Sequence, residues 1–227
     1  MLRHGLGEDR LADPVLAAVQ RRVVACRRCP RLTKYLDAAK VAWPDHYCKP
    51  VPAWGDARPR LVIVGLAPGM HGANRTGRMF TFDSSGQWLY GMLHEVGLAS
   101  RPVSEAPGDG LKLHGVYITA AARCAPPGNK PLPVELEACR PYLEAELRHL
   151  TGAPVILALG RIAHEAILRI LDVKPRDCPF GHGAEHRLPD GRILLDSYHP
   201  SRQNTNTGRL TRAMWRAIFR RAKTLIR

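Results

Sequence analysis

A continuous apolar run that leads straight into a glycine-rich loop constrains the fold of this chain more than any other feature. Leu61-Val-Ile-Val64 has the composition of a parallel strand that is covered on both faces of a sheet. The sixteen residues that follow, Gly65 to Phe80, contain four glycines, one proline and two arginines, and they form a longer segment than a connection usually needs. Glycine lets the backbone approach a bound group closely. The run therefore predicts an α/β fold with a ligand-holding loop after this strand.

Three further strand-like runs follow, and helix-like segments alternate with them. The predicted strands are residues 116–119, 155–159 and 193–198, and the predicted helices are residues 84–96, 133–150, 161–171 and 208–226. Such alternation predicts a mostly parallel sheet layered between helices. Ligands bind beyond the carboxyl ends of the strands in such sheets. Unusual residues follow the first, second and fourth of these strands, which places a candidate site at that edge.

Length and charge narrow the class of protein. At 227 residues the chain suits a single domain, 1–227, and its 27 arginines and 7 lysines contribute to a net charge of +14. Arginine donates to phosphate in a bidentate manner, so this excess favours nucleic acid as the partner over a membrane surface. Residues 1–13 lack the apolar core of a signal peptide, and no apolar run approaches the length of a membrane span. We expect a cytoplasmic protein in which residues 1–13 are a flexible N-terminal extension.

Four of the six cysteines have the spacing of a ligand set. Cys26 and Cys29 form a Cys-x2-Cys pair, and fourteen residues separate Cys124 from Cys139. Two such pairs could close a tetrahedral zinc site or hold an iron-sulfur cluster, and the spacing alone does not distinguish these. The remaining two, Cys48 and Cys178, are interpreted as free thiols. A zinc deaminase is disfavoured because no histidine is followed two residues later by glutamate.

The C-terminal segment supplies the best candidate for catalysis. His199 follows the last predicted strand, precedes a proline and leads into a run of hydroxyl and amide side chains. Arginines then recur at three- and four-residue steps, which predicts a basic helix face that contacts a phosphate backbone or is simply solvated. The stripe consists of Arg209, Arg212, Arg216 and Arg220.

Taken together, these loops resemble the family 5 uracil-DNA glycosylases from about Cys26 to the C-terminus. The resemblance is carried by Gly65-Leu-Ala-Pro-Gly69, by His71-Gly-Ala-Asn-Arg-Thr-Gly-Arg78 with Phe80, by Arg123-Cys-Ala-Pro-Pro-Gly-Asn-Lys-Pro131 and by His199-Pro-Ser-Arg-Gln-Asn-Thr-Asn-Thr-Gly208. It implies a three-layer α/β/α domain with a central four-stranded parallel sheet, and a monomeric, monofunctional enzyme that hydrolyses damaged bases from DNA. It also implies a structural [4Fe-4S] cluster on Cys26, Cys29, Cys124 and Cys139.

The resemblance and the chemistry of base release together assign roles to particular residues. His199 and Asn129 are the expected donors to the departing base, and Asp83 orients water or stabilises the cationic sugar. Phe80 is expected to stack on the flipped base. The other expected contacts are to the base, from Gly65, Leu66 and Ala67, and to DNA, from Arg75, Arg78, Ser201, Arg202 and Asn204.

Two departures from related families affect the predicted substrate range. Ala67 stands where other glycosylases carry a carboxylate or amide that positions water, and Ala120 stands where related families place a base-reading asparagine. Loss of a fixed amide reader relaxes base discrimination, so we expect activity on uracil and hypoxanthine, with xanthine as a further candidate.

Two other classes of function are weighed against the glycosylase. A non-catalytic DNA-binding protein whose iron-sulfur centre senses redox state would bind DNA without releasing a base. A dinucleotide-binding enzyme is disfavoured, because the loop after Val64 lacks the Gly-x-Gly-x-x-Gly pattern.

Overall fold

Six strands form one sheet in the computed structural model, which describes residues 13–227 of the chain. In chain order they are β1 (Trp54–Gly55), β2 (Leu61–Gly65), β3 (Val116–Ala120), β4 (Val155–Leu159), β5 (Glu185–Arg187) and β6 (Ile193–Ser197). Their order across the sheet is β1-β3-β2-β4-β6-β5. The four inner strands are parallel, which confirms the central four-stranded parallel sheet.

The outer strands β1 and β5 pair antiparallel to their neighbours and have no signal in the sequence. The first consists of two residues, and the second is an exposed Glu-His-Arg stretch without apolar alternation. Edge strands of this kind are specified by the partner strand rather than by their own side chains.

Eight α-helices cover the two faces of the sheet in the described part of the chain. They are α1 (Pro14–Val24), α2 (Pro30–Ala42), α3 (Ala73–Thr76), α4 (Ser84–Glu95), α5 (Pro133–His149), α6 (Arg161–Ile170), α7 (Arg202–Asn206) and α8 (Arg212–Leu225). The predicted helices at 84–96, 133–150 and 161–171 correspond closely to α4, α5 and α6. The last helix begins at Arg212 rather than residue 208, because Thr211 caps it by accepting from Met214 N.

The prediction of a flexible extension at residues 1–13 falls mostly outside the described residues. It is wrong for Asp13, whose carboxylate accepts hydrogen bonds from Val15 N and Leu16 N and thereby caps α1. In the described part of the chain, no helix combines the length and the apolar character that a membrane crossing requires.

The two largest apolar clusters of the core lie on opposite faces of the sheet. Along β2, Leu61 and Ile63 pack into one cluster while Val62 and Val64 pack into the other. Every residue of β2, β3 and β4 is buried because helices cover both faces. The register pairs Gly65 with Ala120, so the loops after β2 and β3 leave the sheet at the same level. This edge holds most of the predicted site.

Candidate active site

Phe80 lies at the centre of the site in a constrained backbone conformation. Its φ of 57° is in the left-handed region, and its side chain is 9% exposed. The ring packs against Gly65, where an added Cβ atom would lie 2.7 Å from Phe80 Cζ. A side chain at residue 65 would therefore displace the ring, so the glycine that ends β2 makes room for the aromatic face.

His199 stacks on Phe80, and this contact joins two loops that are far apart in the sequence. The ring centroids are 6.1 Å apart with an interplanar angle of 28°. Asn204 Nδ2 donates to His199 O over 2.8 Å and holds the loop after β6 in place. Burial lowers the pKa of His199 to about 4, so its imidazole is neutral at pH 7. A neutral imidazole retains one N–H that can donate to a ligand.

Asp83 lies beside the loop that follows β2 and is also the N-terminal cap of a helix. Its Oδ1 accepts from Gly86 N over 2.7 Å, which caps α4. Its Oδ2 points towards the first loop, since an added Cβ atom at Gly72 would lie 2.3 Å from it. Burial raises the pKa of Asp83, while the helix N–H groups and the charge of Arg202 act in the opposite direction. One carboxylate oxygen thus caps the helix and the other faces the site; the role in orienting water stays a prediction.

The start of the first loop continues the sheet. Gly65 O and Leu66 O accept from Ala121 N and Ala122 N, which extends the pairing of β2 with β3 beyond the strands. Ala67 follows, half-buried and with an apolar methyl side chain. This geometry fixes the backbone of residues 65–67 next to the Phe80 ring, and their contacts to a base stay predictions.

The predicted DNA contacts at Arg75 and Arg202 are exposed on the rim of the site. The guanidinium of Arg75 lies 4.0 Å from the ring centroid of Phe82, which is 53% exposed and has a left-handed φ of 67°. Phe82 is not among the residues predicted from the sequence, although its position between Phe80 and Asp83 is a signal that could have indicated it. An exposed aromatic under an arginine suits contact with a nucleic acid.

Two other predicted DNA contacts have internal roles. Ser201 Oγ accepts from Asn204 N and caps α7, and Asn204 holds His199 O as described above. These side chains position the loop that carries His199, and their contacts to DNA stay predictions.

The prediction that Arg78 contacts DNA is wrong. Its side chain is 1% exposed and pairs with Asp109 over 2.9 Å. It also donates to Ser104 Oγ and lies over the Trp54 ring, 4.4 Å from its centroid. The guanidinium therefore stabilises the interior behind Phe80, and no phosphate can reach it.

Asn129 lies in an exposed turn, Pro127–Asn129, with a left-handed φ of 57°. Within residues 13–227, no hydrogen bond or ring contact joins it to Phe80 or His199. Its predicted part in base release stays untested.

Four cysteines from three parts of the chain line one small cavity, together with Arg123 and Tyr142. Burial, with the nearby Cys139 and Cys26 thiols, raises the pKa of Cys29 to about 11. Cys29 also precedes the first residue of α2, so the cavity lies where that helix begins. The set that the spacing singles out, Cys26, Cys29, Cys124 and Cys139, is thus brought together. Cys48 and Cys178 lie outside this cavity, and all six cysteines are free thiols.

A single zinc ion and an iron-sulfur cluster require different spacings between the cysteines that hold them. Across the described residues, no group of three or more His, Cys, Asp or Glu side chains is placed to hold a single metal ion. A single zinc ion requires every sulfur about 2.3 Å from one point. A cubane cluster is bound through a separate iron at each cysteine, so its ligands stand further apart.

Comparison with known proteins identifies the family to which this chain belongs. Residues 52–223 match the Uracil DNA glycosylase superfamily. The chain is 52% identical to a type-5 uracil-DNA glycosylase of Thermus thermophilus, over 89% of this chain and 94% of the relative. It is 49% identical to one of Mycobacterium tuberculosis, over 89% and 79%, and 43% identical to one of Pyrobaculum aerophilum, over 88% and 89%. The chain therefore belongs to the uracil DNA glycosylase superfamily and, within it, to the type-5 uracil-DNA glycosylases.

Proposed function

We propose that this protein is a monofunctional DNA glycosylase that hydrolyses the N-glycosidic bond of uracil, and of deaminated purines, in DNA. The observation that carries the proposal is the stacked pair of Phe80 and neutral His199 at the carboxyl edge of the parallel sheet. Family membership supports the uracil-DNA glycosylase class of enzyme. Base release of this kind begins base excision repair.

The chemistry needs the damaged base outside the duplex and a donor at the base. An extruded base gains about 1–3 kcal/mol from stacking on an aromatic ring, and Phe80 offers such a ring at the end of β2. As the glycosidic bond breaks, negative charge develops on the departing base. The N–H of neutral His199 then donates to that base, and water completes the hydrolysis at the sugar carbon. Asp83 Oδ2, which faces the first loop, orients that water or stabilises the cationic sugar.

The proposed range of bases rests on two alanines. Ala67 and Ala120 line the start of the first loop and the end of β3, and neither side chain can form a hydrogen bond with a base. A site without a fixed amide reader discriminates weakly between deaminated bases, which all carry a ring carbonyl where the undamaged base carries an amino group. Hypoxanthine is accordingly a proposed substrate beside uracil, and xanthine is a further candidate.

We also propose that Cys26, Cys29, Cys124 and Cys139 hold a [4Fe-4S] cluster of structural role. The common cavity of the four side chains and their origin in three separate segments support this proposal. A bound cluster would tie the start of α2 to the loop after β3 and to α5, and so fix the position of the loop that carries Asn129.

The partner of the site is proposed to be DNA, bound by one copy of the chain. The net charge of +14 and the exposed Arg75 and Arg202 beside Phe80 support phosphate contacts. All the residues assigned to the site belong to one chain, so the proposal needs no second copy.

The test uses three matched duplexes that contain one uracil, one hypoxanthine or only normal bases. We expect free base from the first two and none from the third, with strand cleavage only after alkali treatment. Spontaneous strand cleavage would overturn the monofunctional assignment. Release from uracil alone would overturn the wider substrate range. Salt-sensitive binding without any release would favour the redox-sensing DNA-binding protein instead.

A further inference from the structure

Arg123 lies immediately after β3 and is buried to an unusual degree for a charged residue. Its side chain is 1% exposed and lines the cavity that the four cysteines share. Its Nη2 donates to Glu146 Oε2 over 2.5 Å. Its Nε and Nη1 have no hydrogen-bond partner within the part of the chain that the structure describes.

Glu146 fixes the orientation of this guanidinium. The carboxylate is 0% exposed and also accepts from three neutral donors, which hold it in place. These donors are Gln20 Nε2 at 2.7 Å, Tyr117 OH at 3.1 Å and Thr119 Oγ1 at 2.7 Å. Because Glu146 holds Nη2 of Arg123, the N–H groups of Nε and Nη1 are left for whatever occupies the cavity.

Buried donors of a charged group need an acceptor, since leaving them without one is strongly destabilising. The cavity offers four sulfur atoms, from Cys26, Cys29, Cys124 and Cys139, besides the hydroxyl groups of Thr33 and Tyr142. The unpaired donors, the positive charge and the cysteines therefore converge on one anionic occupant that carries sulfur acceptors.

We infer that Arg123 donates to the sulfur atoms of the proposed cluster and raises its reduction potential. A cation and hydrogen bonds beside a cluster stabilise its reduced form, which carries one more negative charge. This inference rests on the proposed cluster and is independent of base release. It assigns Arg123 as a positioning and tuning residue that does not contact DNA or the flipped base.

The experiment compares anaerobically purified wild type with Arg123→Met, Arg123→Lys and a control, Arg192→Met. Arg192 is also buried but pairs with Asp190 and Leu147 O away from the cysteines, so its removal tests general destabilisation. Iron and sulfide content and visible absorbance report cluster loading. The midpoint potential of the one-electron couple is then measured by redox titration, in which electron paramagnetic resonance reports the reduced cluster.

We expect Arg123→Met to disfavour the reduced cluster about tenfold, which lowers the potential by about 59 mV, with a smaller decrease for Arg123→Lys and none for Arg192→Met. Glu146→Gln gives a second measurement with the opposite sign, because it leaves the charge of Arg123 uncompensated and raises the potential. Unchanged potentials in Arg123→Met and Glu146→Gln would overturn this inference alone. Wild type without iron and sulfide would overturn the cluster and the inference together, and would leave base release untouched.

Discussion

The half-buried imidazole of His199 predicts a specific dependence of stability on pH. Burial lowers the pKa of His199 from 6.5 to about 4 in the folded protein. Between these two values the unfolded chain binds a proton at this residue and the folded protein does not. The free energy of unfolding must therefore fall as the pH is lowered from about 6.5, and this contribution levels off below about 4.

The size of the stability loss follows from the lowered pKa of His199. Each pH unit within that window removes about 1.4 kcal/mol, so His199 accounts for a loss of about 2 kcal/mol between pH 6.5 and pH 5. The complete window corresponds to about 3 kcal/mol. His199→Gln has no group that titrates there, so the variant should lack this part of the pH dependence. Burial also lowers the pKa of His182, but that residue is present in both proteins and its contribution cancels in the comparison.

Urea unfolding of wild type and His199→Gln at pH 7, 6 and 5 measures the effect. We expect the stability of the wild type to fall more steeply than that of the variant, by about 2 kcal/mol over the range. His114→Gln, a change at an exposed histidine, controls for the loss of an imidazole as such. Parallel curves for wild type and His199→Gln would refute the conclusion that desolvation keeps the imidazole neutral.

Three further changes test the surroundings of the site. Phe80→Ala should slow uracil release about 5- to 150-fold, because about 1–3 kcal/mol of stacking is lost, and an unchanged rate would remove Phe80 from the mechanism. Gly65→Ala should also slow release, because its methyl group would lie 2.7 Å from Phe80 Cζ, while Gly152→Ala, which meets nothing within 4 Å, should leave the rate as it is. Arg78→Met should destabilise the fold by about 3–5 kcal/mol in urea unfolding, since it removes the cation that pairs with the Asp109 carboxylate and leaves that charge with backbone N–H donors alone; a loss below about 1 kcal/mol would argue against the internal ion pair.

The central strands, and the position at one edge of the loops that carry Phe80 and His199, follow from signals that are local in the sequence. Continuous apolar runs mark buried parallel strands, and the carboxyl ends of such strands meet at one edge. Residues that follow β2 and β6 are therefore expected near one another, and the structure stacks Phe80 on His199. Helix boundaries are also local, because capping side chains such as Asp83 and Thr211 lie next to the residues they cap.

The features that the sequence does not indicate depend on distant partners. The sequence around Arg78 predicts an exposed basic loop, whereas Asp109, 31 residues away, pairs with it in the interior. Arg123 likewise becomes informative only when Glu146 and the four cysteines surround it. The short edge strands β1 and β5 depend on their neighbours in the sheet. In each case a contact with residues distant in the sequence determines where the side chain or strand lies, and no periodicity or motif indicates that contact.

The most direct test of the account is the single-turnover rate of uracil release from a duplex with one uracil, for wild type and His199→Ala. The proposed mechanism predicts uracil release by the wild type and a rate at least about 100-fold lower for His199→Ala, because one donor to the departing base is removed. Equal rates for the two proteins would contradict the role of His199, and binding without release by the wild type would contradict the proposed activity itself.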